Sequence, residues 1–190
     1  RDREPTPTRG YWSEASIAVA SKVLGSEFDM QNLNLTHRHW WSLDVDSRFI
    51  LATRTLLDLQ RQAPFFQESA YGGSQTLELG GHSMLRGLET GRVRGARKAA
   101  QTLELHLRFN KARLFTKRIE TMLVTFGEAV YVATNHAQWL SAKNLLYSVG
   151  IGARAVLDGA FVLRFDLGMT PERIRDENGI TKWRNGVGSY

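Results

Sequence analysis

Cysteine is absent from the 190 residues, so neither a disulfide framework nor a thiolate metal site is available. No apolar run approaches the ~20 residues that a membrane helix requires, which excludes a helical membrane protein. The opening residues, from Arg1 onward, lack a charged-then-apolar leader, and the chain is read as a piece of a longer protein. Acids are in the minority: 19 Asp+Glu face 25 Lys+Arg, a formal net charge of +6. Such a balance raises the question of nucleic acid or an anionic surface. Here the charges are scattered through segments of alternating polarity, apart from Arg92-Val93-Arg94-Gly95-Ala96-Arg97-Lys98. No recognition-helix or stacking-platform pattern accompanies that stretch, so no nucleic-acid partner is expected.

What the chain does have is a period of two. In Thr102-Leu103-Glu104-Leu105-His106-Leu107-Arg108-Phe109 the apolar residues fall on one face and the polar ones on the other. Phe161, Leu163, Phe165 and Leu167 likewise alternate with Arg164 and Asp166. Similar runs span 11–24, 31–41, 48–60, 118–132 and 145–157, with a last strand from near Gly186. These make about eight antiparallel strands. Several are longer than the usual 5–6 residues and reach the roughly 9–11 that a tilted strand needs to cross a bilayer.

The links between strands alternate in length. Asp158-Gly159 is a two-residue hairpin signal and 43–47 is another short link, whereas 61–100, 133–144 and 169–185 read as long connections. Outer-membrane barrels have short periplasmic turns and long external loops. Trp40, Trp41, Phe115, Tyr131, Trp139, Tyr147 and Trp183 fall at or near strand ends, where interfacial aromatic girdles belong. The fold expected is an all-β, antiparallel transmembrane barrel, with Glu104, His106, Arg108, Arg154, Arg164 and Asp166 lining a wet lumen. A soluble antiparallel barrel acting as a binding module shows the same alternation and stands as the alternative.

The connection 61–100 is too long for a passive link. It contains Gly80-Gly81, then His82-Ser83-Met84, then Leu85-Arg86-Gly87. The chain also carries Asp2-Arg3 with Pro7-Thr8-Arg9-Gly10, then Gly150-Ile151-Gly152-Ala153-Arg154, and Arg164-Phe165-Asp166-Leu167-Gly168. In that order these motifs resemble the bacterial surface antigen superfamily, the barrels of the BamA, TamA and two-partner-secretion-transporter type. Leu88 stands where the family usually has an aromatic.

The resemblance implies a sixteen-stranded barrel of which this chain is the C-terminal half, preceded by the first half of the barrel and by periplasmic POTRA domains. It implies that the loop folds into the lumen, where Arg86 locks onto a wall carboxylate while Gly80, Gly81, Leu85 and Gly87 shape the turn. The family takes that carboxylate from a Phe-x-Asp-x-Gly pattern; the match here is Phe126-Gly127-Glu128-Ala129-Val130, with Glu for Asp and Val for Gly. A guanidinium offers five donors and pairs with a carboxylate at two points. The implied function is outer-membrane protein assembly or protein secretion, in the bacterial outer membrane, with lipids and client polypeptides as partners and no enzyme chemistry, cofactor or metal. A diffusion porin is the other reading, and it needs an open lumen.

Two further patterns carry no site. Gly81-His82-Ser83-Met84-Leu85 approaches a nucleophile elbow, but Leu85 stands where the second glycine must be and no helical periodicity follows. His37 and His39 share a strand face, yet two histidines without a nearby acid make an incomplete metal site. The basic stretch 92–98 belongs to the segment returning from the loop and suits anionic lipid headgroups.

Overall fold

A computed structural model of the protein describes residues 2, 6–62, 70–71, 85–87, 93–109, 112–114, 117–133, 144–159, 161–175 and 181–189. The strands are β1 (Gly10–Ala20), β2 (Met30–Ser42), β3 (Phe49–Arg61), β4 (Ala70–Tyr71), β5 (Val93–Arg94), β6 (Arg97–Arg108), β7 (Ala112–Leu114), β8 (Lys117–Ala133), β9 (Leu145–Leu157), β10 (Phe161–Arg175) and β11 (Thr181–Ser189). Eight of them form one antiparallel path, β1-β2-β3-β6-β8-β9-β10-β11, with β7 beside β8. The pair β4–β5 is a separate two-residue ladder within the loop between β3 and β6. The path is open: β1 and β11 are not joined to each other. The only helical piece among the described residues is the single 3-10 turn Lys22–Leu24.

Opposed residues across an antiparallel ladder project to the same side. Every pairing in this path joins residues of equal parity, from Gly10↔Trp40 through Leu59↔Arg97 and Glu128↔Ser148 to Gly168↔Gly188. All even-numbered strand residues therefore share one face. That face is the covered one from β3 to β10: Ile50, Leu56, Val124, Val130 and Val156 are buried on it, and so are Asp58, Lys98, Glu128, Ser148 and Asp166. The odd face is open and apolar, with Ile17, Leu103, Leu105, Ile151, Phe161, Leu163 and Phe165 exposed.

The strands begin and end where side chains compete for the backbone. Asp2 accepts from the backbone amides of Thr8 (2.8 Å) and Arg9 (3.1 Å), and from the Thr8 hydroxyl, tying the two halves of the N-terminal motif together ahead of β1. Burial works against its ionised form, but these hydrogen bonds outweigh it and hold the carboxyl well below the ordinary range. β1 stops at Ala20, short of the expected Leu24, because Ser21 accepts from Val23 N and caps the 3-10 turn, which Gly25 closes at φ 84°.

At the opposite end of the sheet, Asp44 accepts from Phe49 N (2.8 Å) and Arg48 N (3.0 Å), and Asp158 from Arg118 N (2.8 Å). The links that contain these two aspartates are short, 43–48 and 158–160. Leu85, discussed below, and Asp158 are among the few non-glycine residues with positive φ; with Gly159 (φ 74°), Asp158 forms the expected two-residue turn.

Two expected boundaries move. β6 starts at Arg97, so the long connection is 62–96 and not 61–100. The third long connection shrinks to 176–180, because β10 and β11 stay paired from Leu167↔Ser189 to Arg175↔Thr181. Backbone pairing continues there although the polarity pattern lapses. Beyond Met169 the strand pairs with β11 alone, and a strand with one open side tolerates Pro171.

Gly159→Ala is expected to lower the unfolding free energy by about 1 kcal/mol, read as a lower urea midpoint, because an L side chain is strained at positive φ. The Lys117 Nζ–Asp158 Oδ2 pair (2.8 Å) and the Arg118 amide hold the Asp158 carboxyl below its usual value. A depressed carboxylate stabilises above its unfolded pKa, and that contribution is lost as pH falls through the folded value. The protection factor of the Arg118 amide, its exchange relative to an unstructured amide at the same pH, should fall over that acid range in the wild type and be low at every pH in Asp158→Ala.

Candidate functional site: a loop anchor on the even face

Residues 85–87 dock against the even faces of β3, β6, β8 and β10. Leu85 is fully buried in an apolar cluster with Leu56, Ala100, Val130 and Val132. Its φ of 67° lies in the left-handed region, an expensive conformation for a branched side chain, and this burial holds it there. Val130, which replaces the second glycine of the family pattern, helps to build the seat for Leu85.

Arg86 follows at 2% exposure. Its backbone amide donates to Glu128 Oε2 (2.8 Å) and its Nε to Glu128 Oε1 (2.9 Å). Nη1 donates to Asp166 Oδ2 (3.1 Å), and Nη2 lies 2.8 Å from Glu104 Oε1. The guanidinium carbon sits 3.5 Å from the centroid of the Phe126 ring, a cation–π contact. Burial by itself lowers the guanidinium pKa; the charges of Glu104, Glu128 and Asp166 more than offset this and raise it, so the group stays cationic.

The carboxylates are in turn held by others. Ser148 donates its hydroxyl to Glu128 Oε2 at 2.7 Å. Arg154 reaches both oxygens of Glu104 at 3.2 and 3.3 Å, and His106 Nε2 is 2.8 Å from Glu104 Oε2. Arg164 donates from Nε to Asp166 Oδ2 at 2.5 Å. Three arginines thus meet three acids, so their formal charges balance. Burying a single charge is prohibitive, whereas a balanced and hydrogen-bonded set is tolerated.

Glycine opens the space. A Cβ on Gly168 would lie 2.4 Å from the Arg86 carbonyl oxygen, and one on Gly87 would lie 2.7 Å from Gly168. At Gly150 it would lie 2.4 Å from Phe126 Cζ, and at Gly152 2.0 Å from Asp166 Oδ1. Gly150↔Gly168 and Gly152↔Asp166 are direct cross-strand pairs. The backbone of Arg86 can therefore approach β10 closely; Thr170 Oγ1 donates to its carbonyl at 3.4 Å.

Of the residues singled out from sequence, Arg86, Leu85, Gly87, Glu128, Glu104, His106, Arg154, Arg164 and Asp166 come together. Arg108 shares their face but stands apart, paired with Glu120 at 2.8 Å. Gly80, Gly81, Ser83 and Leu88 lie outside the described residues, as do Phe115 and Trp139. Glu104 and Asp166, expected only to line the lumen, are direct partners of Arg86. Ser148, Thr170 and the clearance role of Gly150, Gly152 and Gly168 were not legible in the sequence, although the glycines stand in the quoted motifs, Gly150 and Gly152 two residues apart in β9 and Gly168 opposite Gly150 in β10.

The basic stretch 92–98 is not a single patch, because strand alternation turns Lys98 to the even face, where it pairs with Asp58 at 3.3 Å. His37 and His39 lie on the odd face. His37 shares a hydrogen bond with Ser13 (2.8 Å), and His39 stacks on Trp41 at 3.8 Å. Among the described residues no group of three His, Cys, Asp or Glu is placed to hold a metal ion. No protein-family model matches the chain, and no curated protein matches it.

Arg86→Ala leaves the buried Glu128 and Asp166 and the half-buried Glu104 without their common cation, a loss expected to cost about 3–5 kcal/mol. Arg86→Lys recovers only part of this, since one ammonium cannot reproduce the planar contacts. In a double-mutant cycle with Glu128→Gln the two changes should couple by at least about 1 kcal/mol; additive effects would remove Glu128 as a partner. Gly168→Ala should push residues 85–87 off the sheet. A cysteine at Leu85 would then label quickly in the Gly168→Ala background and slowly without it.

Proposed function

We propose that the chain is part of an outer-membrane β-barrel of the surface-antigen type that inserts or translocates other polypeptides. The observation that carries this reading is the inverted polarity of the sheet. Within the described parts of the strands every acid, Glu14, Asp58, Glu104, Glu120, Glu128, Asp166 and Glu172, has an even number, while large apolar side chains crowd the uncovered odd face. A water-soluble sheet has the opposite arrangement, its apolar face covered and its polar face wet. Hydrocarbon around the odd face and an ionic interior on the even face account for both features.

Strand length supports the same reading: the eight main strands run from 9 to 17 residues, sufficient for tilted crossings of about 9–11. The end with links 43–48, 109–116 and 158–160 would face the periplasm, and the end with 62–96 and 134–144 the outside. β1 and β11 each pair on one side only, so in a bilayer further strands must meet those edges.

Polypeptide handling is favoured over passive diffusion by the anchor. Residues 85–87 occupy the polar face that a diffusion porin would keep open. A client strand can be accepted by strand addition at an exposed edge, which satisfies backbone groups that lipid cannot, and no bond-making step is needed.

Spin labels at Leu105, Ile151 and Phe165 should be quenched by a lipid-soluble agent, and labels at Thr102 and Arg154 by a water-soluble one. An inverted or mixed pattern would sink the membrane reading. Arg86→Ala should retain the strand content of the wild type but insert or secrete less client polypeptide. Wild-type activity in that variant would rule out the anchor as a functional part.

A further inference from the structure

The ladder between β9 and β10 ends early. β9 stays paired with β8 as far as Tyr131↔Leu145, and β10 with β11 as far as Arg175↔Thr181, yet β9 and β10 part after Val149↔Met169. Hydrogen-bonding parity accounts for this. Asp158 N donates to Arg118 O at 2.8 Å, so along the uninterrupted register even-numbered residues of β9 turn their backbone groups to β8 and odd-numbered ones to β10. The exchange after Val149 with Met169 would fall to Tyr147 with Pro171, which has no N–H to give. The backbone groups of Leu145 and Tyr147 therefore face the seam, and among the described residues no strand takes them.

We propose that this open edge of β9 accepts an extended polypeptide segment by antiparallel strand addition, a proposal that rests on the polypeptide-handling reading above. Unlike the outer edges of β1 and β11, which further strands of a barrel would take, this edge lies inside the sheet path. It is also preorganised. Leu146 packs against the cluster around Leu85, and the Ser148 hydroxyl donates to Glu128 at 2.7 Å, so both even-numbered side chains are held. Thr170, the first residue of β10 past the last pair, donates to the Arg86 carbonyl, which puts the seam beside the anchor.

Residues 145–149, Leu-Leu-Tyr-Ser-Val, carry neither a charge nor a proline, whereas Pro171 blunts the β10 side of the same seam. N–H and C=O groups repeating at two-residue spacing are matched by another extended backbone. The odd-numbered side chains set the chemistry of that partner. Leu145, Tyr147, Val149 and Met169 are about half exposed on the apolar face, so an added strand gains contact by presenting apolar residues at every second position.

The test uses the full chain in vesicles and a peptide with the strictly alternating sequence of Thr102–Phe109, extended by one cysteine. The protein has no cysteine of its own, so Leu145→Cys reports the seam, and Ile151→Cys, on a stretch of β9 paired on both sides, reports background. Under mild oxidation the disulfide to the peptide should form about tenfold faster at Leu145→Cys than at Ile151→Cys, the gain expected from one or two backbone hydrogen bonds. Tyr147→Pro removes a seam-facing donor and no bond to β8, and should bring the Leu145→Cys rate down to background. Pro171→Ala should do the same by the opposite route: it restores the donor that lets β10 close on β9, and it should slow hydrogen exchange of the Tyr147 amide. Peptide N-methylated at its apolar residues, whose amides would meet the edge, should react at background, and peptide methylated at its polar residues at the full rate.

Equal rates at the two cysteines, an unchanged rate in both Tyr147→Pro and Pro171→Ala, or equal reaction of the two methylated peptides would overturn the proposal. So would disulfide-linked pairs of Leu145→Cys chains forming as fast without peptide, which would put a second copy on the edge. Insertion of a client barrel protein is scored separately. Normal insertion with no preference for Leu145→Cys defeats only this proposal, whereas labelling at the seam without any client insertion defeats the polypeptide-handling reading and leaves the edge.

Discussion

Opposed residues in an antiparallel ladder share a side, and every ladder along the eight-strand path joins residues of equal parity. This constraint governs the molecule. A slip of one residue at any link would carry the even set of the next strand to the other face, separating Glu128 on β8 from Glu104 on β6 and Asp166 on β10. Asp44, which holds the start of β3 through the Phe49 amide, and Asp158, which holds the start of β8 through the Arg118 amide, therefore act on a site far along the sheet. They set the register on which the carboxylates converge.

The converged acids create a demand that only a cation can meet, and the chain meets it from a loop. Arg86 contributes a backbone amide and three guanidinium nitrogens, and Phe126 provides a flat face beneath. Ordering a long connection has an entropic cost, here offset by contacts concentrated in three consecutive residues. Leu85 fills an apolar seat, Arg86 neutralises the acids, and Gly87 allows contact with β10. The strained φ of Leu85 is a local cost of presenting both neighbours at once.

In the proposed bilayer setting the same arrangement gains strength. A surrounding medium of low polarity strengthens each charge pair and makes an unpaired one more costly. Arg154 and Arg164 then matter as much as Arg86, because without them the acids outnumber their counter-ions. The open apolar face needs no further explanation there, whereas in water it would be a large uncovered patch.

Alternation by itself determined which residues form strands and which of them share a side, because a period of two is a local property of the extended chain. The strand runs, the polar set of Glu104, His106, Arg154, Arg164 and Asp166, and the two-residue turn at Asp158 were legible for that reason. The motif around Arg86 gave its pairing with Glu128 through resemblance to a family pattern, not through any local rule. Only the tertiary structure decided that Glu104 and Asp166 share the same guanidinium, since that depends on the relative registers of β6, β8 and β10. It also decided that Gly150, Gly152 and Gly168 are clearances, because a glycine's role is set by what approaches it. The lower part of β10 and the start of β11 escaped the sequence for a related reason: their ladder is held by backbone pairing, which leaves no trace in side-chain polarity.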